Sequence, residues 1–272
     1  MKVSIFIFAA SAAAHGLVTS IIGANNVTMP GLSVIDGTPR DCTTAGCGAE
    51  SDTAIMKTRD IQRGKAGPLG RTKDNNAIDP AVNIAKFMGT AGNATVPKVR
   101  RRIGRRAAGG RVRRKQRGSD DDNDAQGTKS TLAAETLVAD TAGKGATSGL
   151  PTVADDGTIT LTYHQVNGDG AGPLSASIDP SSGGTDEDAF QTAAVTQDVP
   201  GTLGLSRNTK TDFVMTVQMP QGMTCNGTVA GVNNVCIVRI KNPIGPFGGS
   251  AAFTQTAAAR KRSLEIAAGV MG

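Results

Sequence analysis

Ile159, Leu161 and Tyr163 alternate with Thr160, Thr162 and His164 across residues 157–164, and β-branched side chains are enriched there. A period of two puts successive side chains on opposite faces of a sheet and cannot serve a helix, whose repeat is 3.6. The same alternation recurs over residues 17–22, 213–219 and 235–240. Residues 32–35 read as a further short strand, set between Pro30-Gly31 and Asp36-Gly37-Thr38-Pro39 turn chemistry. A short helix is expected over 81–88, and a brief helix or strand over 131–138. With 35 glycines, no tryptophan and one tyrosine, the chain describes short strands joined by many turns. These signals point to an all-β fold, an antiparallel sandwich with long loops and little helix.

Residues 1–14 hold one positive charge (Lys2), an apolar run from Val3 to Ala10, and small residues at Ala12 and Ala14. That is the pattern of a secretory leader, and the run is too short to cross a bilayer as a stable helix. Cutting after Ala14 leaves about 258 residues, enough for one large β domain. We expect residues 15–256 to form that sandwich and 257–272 a C-terminal tail. Four cysteines in a secreted chain suggest two disulfides. The local pairs Cys42–Cys47 and Cys225–Cys236 are favoured over pairing across the domain.

The net charge of +6 comes from one place. Eleven basic residues and no acidic one lie between Lys98 and Arg117; without them 18 basic residues face 23 acidic ones, a net charge of −5. A nucleic-acid-binding face is therefore not implied by the whole-chain charge. The basic run is followed by Asp120-Asp121-Asp122-Asn123-Asp124. Opposed charge blocks without apolar periodicity do not bury enough surface to order themselves, so 98–130 reads as a disordered, exposed insertion. It is a candidate for contact with a polyanion or for dibasic cleavage, and Arg260-Lys261-Arg262 invites the same cleavage.

The chain has two histidines, and one of them, His15, falls on the expected mature terminus. A terminal histidine offers a metal its free amine and its ring Nδ1. His164, at the end of the best strand, can supply a third nitrogen. Cu(II) favours tetragonal nitrogen coordination and tops the affinity order for such ligands, so one copper ion is the expected cofactor. A three-histidine zinc site is excluded by count, and a thiolate zinc site conflicts with oxidised cysteines. No Gly-x-Ser-x-Gly motif stands near a strand-to-helix turn, which disfavours a hydrolytic triad. Asp186-Glu187-Asp188 reads as a solvated acidic face rather than a glycosidase pair. The sequons at Asn26, Asn93 and Asn226 are candidate glycan acceptors.

Three regions resemble the copper-site regions of fungal lytic polysaccharide monooxygenases: His15-Gly16, residues 164–174 from His164-Gln165-Val166 to Gly172-Pro173-Leu174, and Val238-Arg239-Ile240-Lys241-Asn242 with Gly248-Gly249-Ser250-Ala251-Ala252-Phe253. The resemblance implies an immunoglobulin-like sandwich, His15 and His164 as a copper histidine brace, and Phe253 at the axial aromatic position. Two departures bear on catalysis: Asn242 or a neighbour stands where those enzymes often carry a further histidine beside the copper ligands, and Ala251 or Ala252 where a glutamine is common. Without tryptophan, a flat sugar-stacking face is hard to build.

Over its mature length the chain is similar to the Egh-type, appressorium-associated secreted virulence factors of ascomycete fungi. The residues that carry this are His15-Gly16-Leu17-Val18 through Gly23-Ala24-Asn25, Met29-Pro30-Gly31, Asp36-Gly37-Thr38-Pro39-Arg40-Asp41-Cys42, and Asn242-Pro243 with Gly245-Pro246-Phe247-Gly248-Gly249. The resemblance implies secretion, expression around infection structures and a role in penetrating host tissue; separately, we expect an extracellular monomer whose partner is a cell-wall polysaccharide or a host surface component. If catalytic, it would be a copper-dependent monooxygenase. The alternatives are a non-catalytic wall-binding protein, and a structural protein with His164 as an exposed strand-end residue.

Overall fold

A computed structural model of the chain describes residues 15–73, 77–91 and 127–269. The leader, Asn93 and residues 98–126 of the charged segment lie outside them. Among the described residues there are twelve strands. In chain order they are β1 (Gly16–Ile22), β2 (Thr28–Pro30), β3 (Ala54–Ile55), β4 (Thr128–Lys129), β5 (Thr152–Val153) and β6 (Thr158–Gln165). There follow β7 (Ser175–Asp179), β8 (Gln191–Gln197), β9 (Thr211–Gln218), β10 (Gly227–Val229), β11 (Val232–Lys241) and β12 (Phe247–Gln255). Helices are short: α1 (Thr58–Gln62), α2 (Pro80–Phe87), α3 (Leu137–Asp140), α4 (Gly145–Ser148) and α5 (Ala257–Ala267).

The strand order is β2-β1-β6-β9-β8-β7-β11-β12-β3, with β4 on β9, β10 on β11 and β5 on β12. All pairings but β5–β12 are antiparallel. The order curls into two layers at β8, which gives residues 191–193 to β7 and residues 194–197 to β9. The alternating apolar residues of β6, β9 and β11 fill the space between the layers, with Ile159, Leu161, Tyr163, Phe213, Met215, Val217 and Val238 all in one buried cluster. The expected all-β sandwich is therefore present. β1 and β12 face each other across the layers, and a Cβ at Gly249 would collide with the Val18 backbone. Glycine there lets two strands approach more closely than side chains permit.

The long alternating segments became strands, the helix expected over 81–88 is α2, and both local disulfides are formed. Residues 32–35, expected as a strand, are instead a run of turns, while β2 forms just before them and pairs with β1. Leu32 and Val34 are apolar because each fills a different buried cluster, not because they share a sheet face. The end of the segment read as a disordered insertion is ordered: β4 pairs with β9, and Lys129 Nζ donates to Thr209 O at 2.9 Å. The tail beyond residue 256 carries α5, capped by the Thr256 side chain accepting from Ala259 N. Arg260 and Arg262 lie on that helix and donate to the carbonyls of Cys225 and Asp155, so the dibasic site is not an extended strand.

On the outer face of β1 and β6 a smaller cluster holds Leu17, Val166, Val34, Ala49 and Val138. Residues 31–52 and α3 roof this face, and one buried arginine fastens them. Arg40 makes a forked pair with Asp52 at 2.6 and 2.9 Å, and its Nε reaches Glu135 at 3.0 Å. Glu135 in turn accepts from the Thr136 and Leu137 amides at the start of α3. Burial opposes the charge on Arg40, but the Asp52 and Glu135 carboxylates outweigh it and raise its pKa. Removing one partner of such a set strands buried charge, which typically costs about 3–5 kcal/mol. Arg40→Met is expected to lose about that much in urea unfolding, whereas a triple change to apolar residues of matched volume recovers most of it.

Candidate metal centre

β1 and β6 pair with Gly16 opposite Gln165 and Leu17 opposite His164. The Val166 amide donates to His15 O at 2.9 Å, which extends the ladder one residue further and sets His15 opposite Val166. His15 and His164 are thereby diagonal neighbours on one sheet face, a relation in which Cα atoms stand roughly 7–8 Å apart. Both lie under the roof fastened by Arg40.

The two rings have different surroundings. His164 is fully buried, so its reading as an exposed strand-end residue does not hold. Its Nδ1 is 2.6 Å from Asp212 Oδ1, across the β6–β9 pair. That contact makes Nδ1 the donor and leaves the lone pair on Nε2, a buried atom with no hydrogen-bond partner. The His15 ring lies 3.1 Å by Nε2 from Glu50 Oε2, and Asn167 Nδ2 is 2.9 Å from Nδ1. Asp169 Oδ1 is 3.4 Å from the same Nδ1. With Nε2–H donating to Glu50, Nδ1 keeps its lone pair facing the Asn167 amide. The two rings therefore differ: His164 Nε2 is buried and unpartnered, whereas His15 Nδ1 already meets the Asn167 amide and the Asp169 carboxylate. Among the described residues no three His, Cys, Asp or Glu side chains converge as a ligand set.

Phe253 lies elsewhere. It pairs with Cys236, beside the Cys225–Cys236 disulfide, six residues along β12 from the ring that does meet His15. At about 3.3 Å per residue that is roughly 20 Å. The neighbouring aromatic is Phe247, with ring centroids 5.5 Å apart and planes tilted by 34°. Asn242 does border the site: its Nδ2 donates to Ala171 O at 2.8 Å and Asp169 O at 3.4 Å, and so holds the loop that bears Asn167 and Asp169. Ala251 and Ala252 are buried within β12. Of the candidate glycan acceptors, Asn26 is exposed at the tip of the β1–β2 hairpin, and Asn226 is exposed with its amide bonded to Thr224. Glu187 of the acidic triplet is not free in solvent; it pairs with Arg239 at 2.6 Å.

Glu50, Asp212 and Phe247 were not singled out from the sequence. Asp212 had a usable signal, since it directly precedes the alternating segment 213–219 and a buried histidine needs an acceptor. Glu50 and Phe247 had none, because their contacts span 35 and 232 residues. The fit around His15 also fixes small residues. A Cβ on Gly170 would overlap His15 O, and one on Gly16 would overlap the Tyr163 hydroxyl. That hydroxyl is buried with no partner; burial, then the Asp198 and Asp169 carboxylates, hold the phenol above its ordinary pKa. Tyr163→Phe removes an unsatisfied polar atom, so it is expected to leave thermal stability unchanged or higher. Gly170→Ala is expected to lower stability by about 1–3 kcal/mol through overpacking, measured by the same melts.

The profile of the Egh16-like virulence factor family matches residues 13–248, a span that takes in His15, Glu50, His164, Asp212 and Phe247. An appressoria-specific virulence factor, GAS2 of Pyricularia oryzae, is 49% identical over 258 residues, covering 93% of this chain and 87% of that protein. GAS1 of the same fungus, also an appressoria-specific virulence factor, is 40% identical over 124 residues, 43% of this chain and 48% of that protein. No solved structure matches the chain. With a family match over most of its length and a relative of this closeness, the chain belongs to the Egh16-like virulence factors.

Proposed function

We propose that this protein is secreted, acts at infection structures during host penetration, and holds one copper ion between His15 and His164 once the leader is removed. The observation that carries the metal reading is the buried, unpartnered Nε2 of His164, with its Nδ1 tied to Asp212 and the His15 ring diagonal to it on the same sheet face. Virulence follows the family and the relatives described as appressoria-specific. Secretion is supported by the leader pattern and by two disulfides, which persist in oxidising compartments. No helix among the described residues is long and apolar enough to cross a membrane.

In this reading the amine and Nδ1 of His15 and the Nε2 of His164 hold the ion. Asp212 keeps the His164 tautomer, and Glu50 and Phe247 orient the His15 ring. Copper, when bound, supplies one-electron chemistry toward oxygen or peroxide. The substrate class would be a cell-wall polysaccharide or another host surface component. A second reading is a non-catalytic copper- or wall-binding protein. It is favoured by the displacement of Phe253 from the site and by the absence of any exposed aromatic ring among the described residues.

Calorimetric titration of copper into the chain beginning at His15 is expected to show one site, and an added residue before His15 is expected to abolish it. Asp212→Asn is expected to weaken binding roughly 10–100-fold, as loss of an outer hydrogen bond to a ligating histidine does. Tight binding that survives the added residue overturns the proposal. Oxidised oligosaccharides released from soluble wall polymers by the copper-loaded protein with reductant and peroxide would identify the catalyst, and their absence the non-catalytic form.

A further inference from the structure

The hairpin between β1 and β2 carries two adjacent asparagines, and the fold uses only one of them. Gly23 N donates to Val27 O at 2.8 Å and Asn26 N to Gly23 O at 2.9 Å, so a tight turn ends at Asn26, whose φ of 58° is left-handed. Asn25 is tied back to the domain: its Nδ2 donates to Leu150 O at 3.0 Å, and its Oδ1 accepts from Thr152 N at 3.2 Å. Asn26 is exposed, and among the described residues its side-chain amide makes no hydrogen bond. Two residues on, Thr28 opens β2 with its hydroxyl likewise unbonded. The left-handed backbone explains an asparagine at 26 without any sugar. What sets the sequon Asn26-Val27-Thr28 apart is that both groups needed for N-glycosyl transfer, the amide and the hydroxyl, are free.

The sequon Asn226-Gly227-Thr228 is the reverse. Asn226 Nδ2 donates to Thr224 O at 3.1 Å and to Thr224 Oγ1 at 3.2 Å, and its Oδ1 accepts from Arg260 Nη2 at 2.9 Å. The Thr228 hydroxyl donates to Asn233 Oδ1 at 2.9 Å. Gly227 between them is buried, and Cys225 before them is buried in its disulfide with Cys236. A sugar on Asn226 Nδ2 would compete with the bonds to Thr224, where α5 docks through Arg260; one on Asn26 displaces nothing. We propose that Asn26 carries an N-linked glycan and that Asn226 stays bare. In the transfer the Asn26 amide nitrogen bonds to C1 of a lipid-pyrophosphate-linked oligosaccharide. The C1–O bond breaks, the lipid pyrophosphate leaves, one amide proton is released, and nothing is oxidised or reduced. This modification requires the secretion proposed above, since only a chain that enters the secretory lumen meets that donor. The seven residues of β1 separate His15 from the hairpin tip, roughly 20 Å at about 3.3 Å each, so the glycan leaves the candidate metal centre uncovered.

The test is expression of the full chain with its leader in a secreting fungal host, then digestion with peptide N-glycanase and peptide mass mapping. That enzyme converts each glycan-bearing asparagine to aspartate. Conversion is expected at position 26 and not at 226. It should be lost in Asn26→Gly and in Thr28→Val, and kept in Thr28→Ser. Glycine suits the left-handed turn and valine the strand, so both variants should melt as the deglycosylated parent does. An unconverted Asn26 in the parent overturns the proposal, as does conversion at Asn226. Conversion at 26 that persists in Thr28→Val overturns it too. Mapping both the medium and the microsomal fraction keeps this result separate from secretion. Glycosylated chain confined to the microsomes supports the site and overturns secretion, whereas bare chain in the medium does the opposite.

Discussion

Arg40 carries a full charge in a place that water does not reach, and the site depends on that charge staying matched. Its partners lie 12 and 95 residues away in sequence, so the guanidinium joins three otherwise separate stretches: the loop before the first disulfide, the loop after it, and the start of α3. Five donors in a rigid fork suit two carboxylates at once, which a lysine could not satisfy. The desolvation of three charges makes this a poor source of net stability. What it supplies is a single arrangement of the roof. With the roof in place, Ala49 closes over Leu17 and Val166, and Glu50 comes within reach of His15.

How much of this was legible follows from the range of the interactions. β6, β9 and β11 could be read directly, because alternation is local and each strand writes its own pattern. β7, β8 and β12 could not, since Ser, Ala, Gly, Thr and Gln dominate them and they pack by smallness rather than by apolar contrast. The disulfides were readable from separations of 5 and 11 residues. Leu32 and Val34 looked like a strand because tertiary burial can mimic periodicity over four residues.

The same distinction divides the site. His15 and His164 stand out because the chain has so few histidines, and strand pairing makes them neighbours. Phe253 was chosen by resemblance at a position where the register decides everything. A displacement of six residues along β12 moves a ring from one end of the sandwich to the other, and the ring against His15 is Phe247. The acidic shell of Glu50, Asp169 and Asp212 comes from three different loops and strand ends, and only the folded chain assembles it.

β8 changes partners halfway along its length, from β7 on one side of the fold to β9 on the other. The hydrogen-bonded ladder therefore runs without a break from β2 through β8 to β3. Two separate leaves could slide or part along the apolar seam between them; a folded ribbon sewn at one edge cannot. Disturbance at the histidine end therefore has a continuous hydrogen-bonded route to the far leaf.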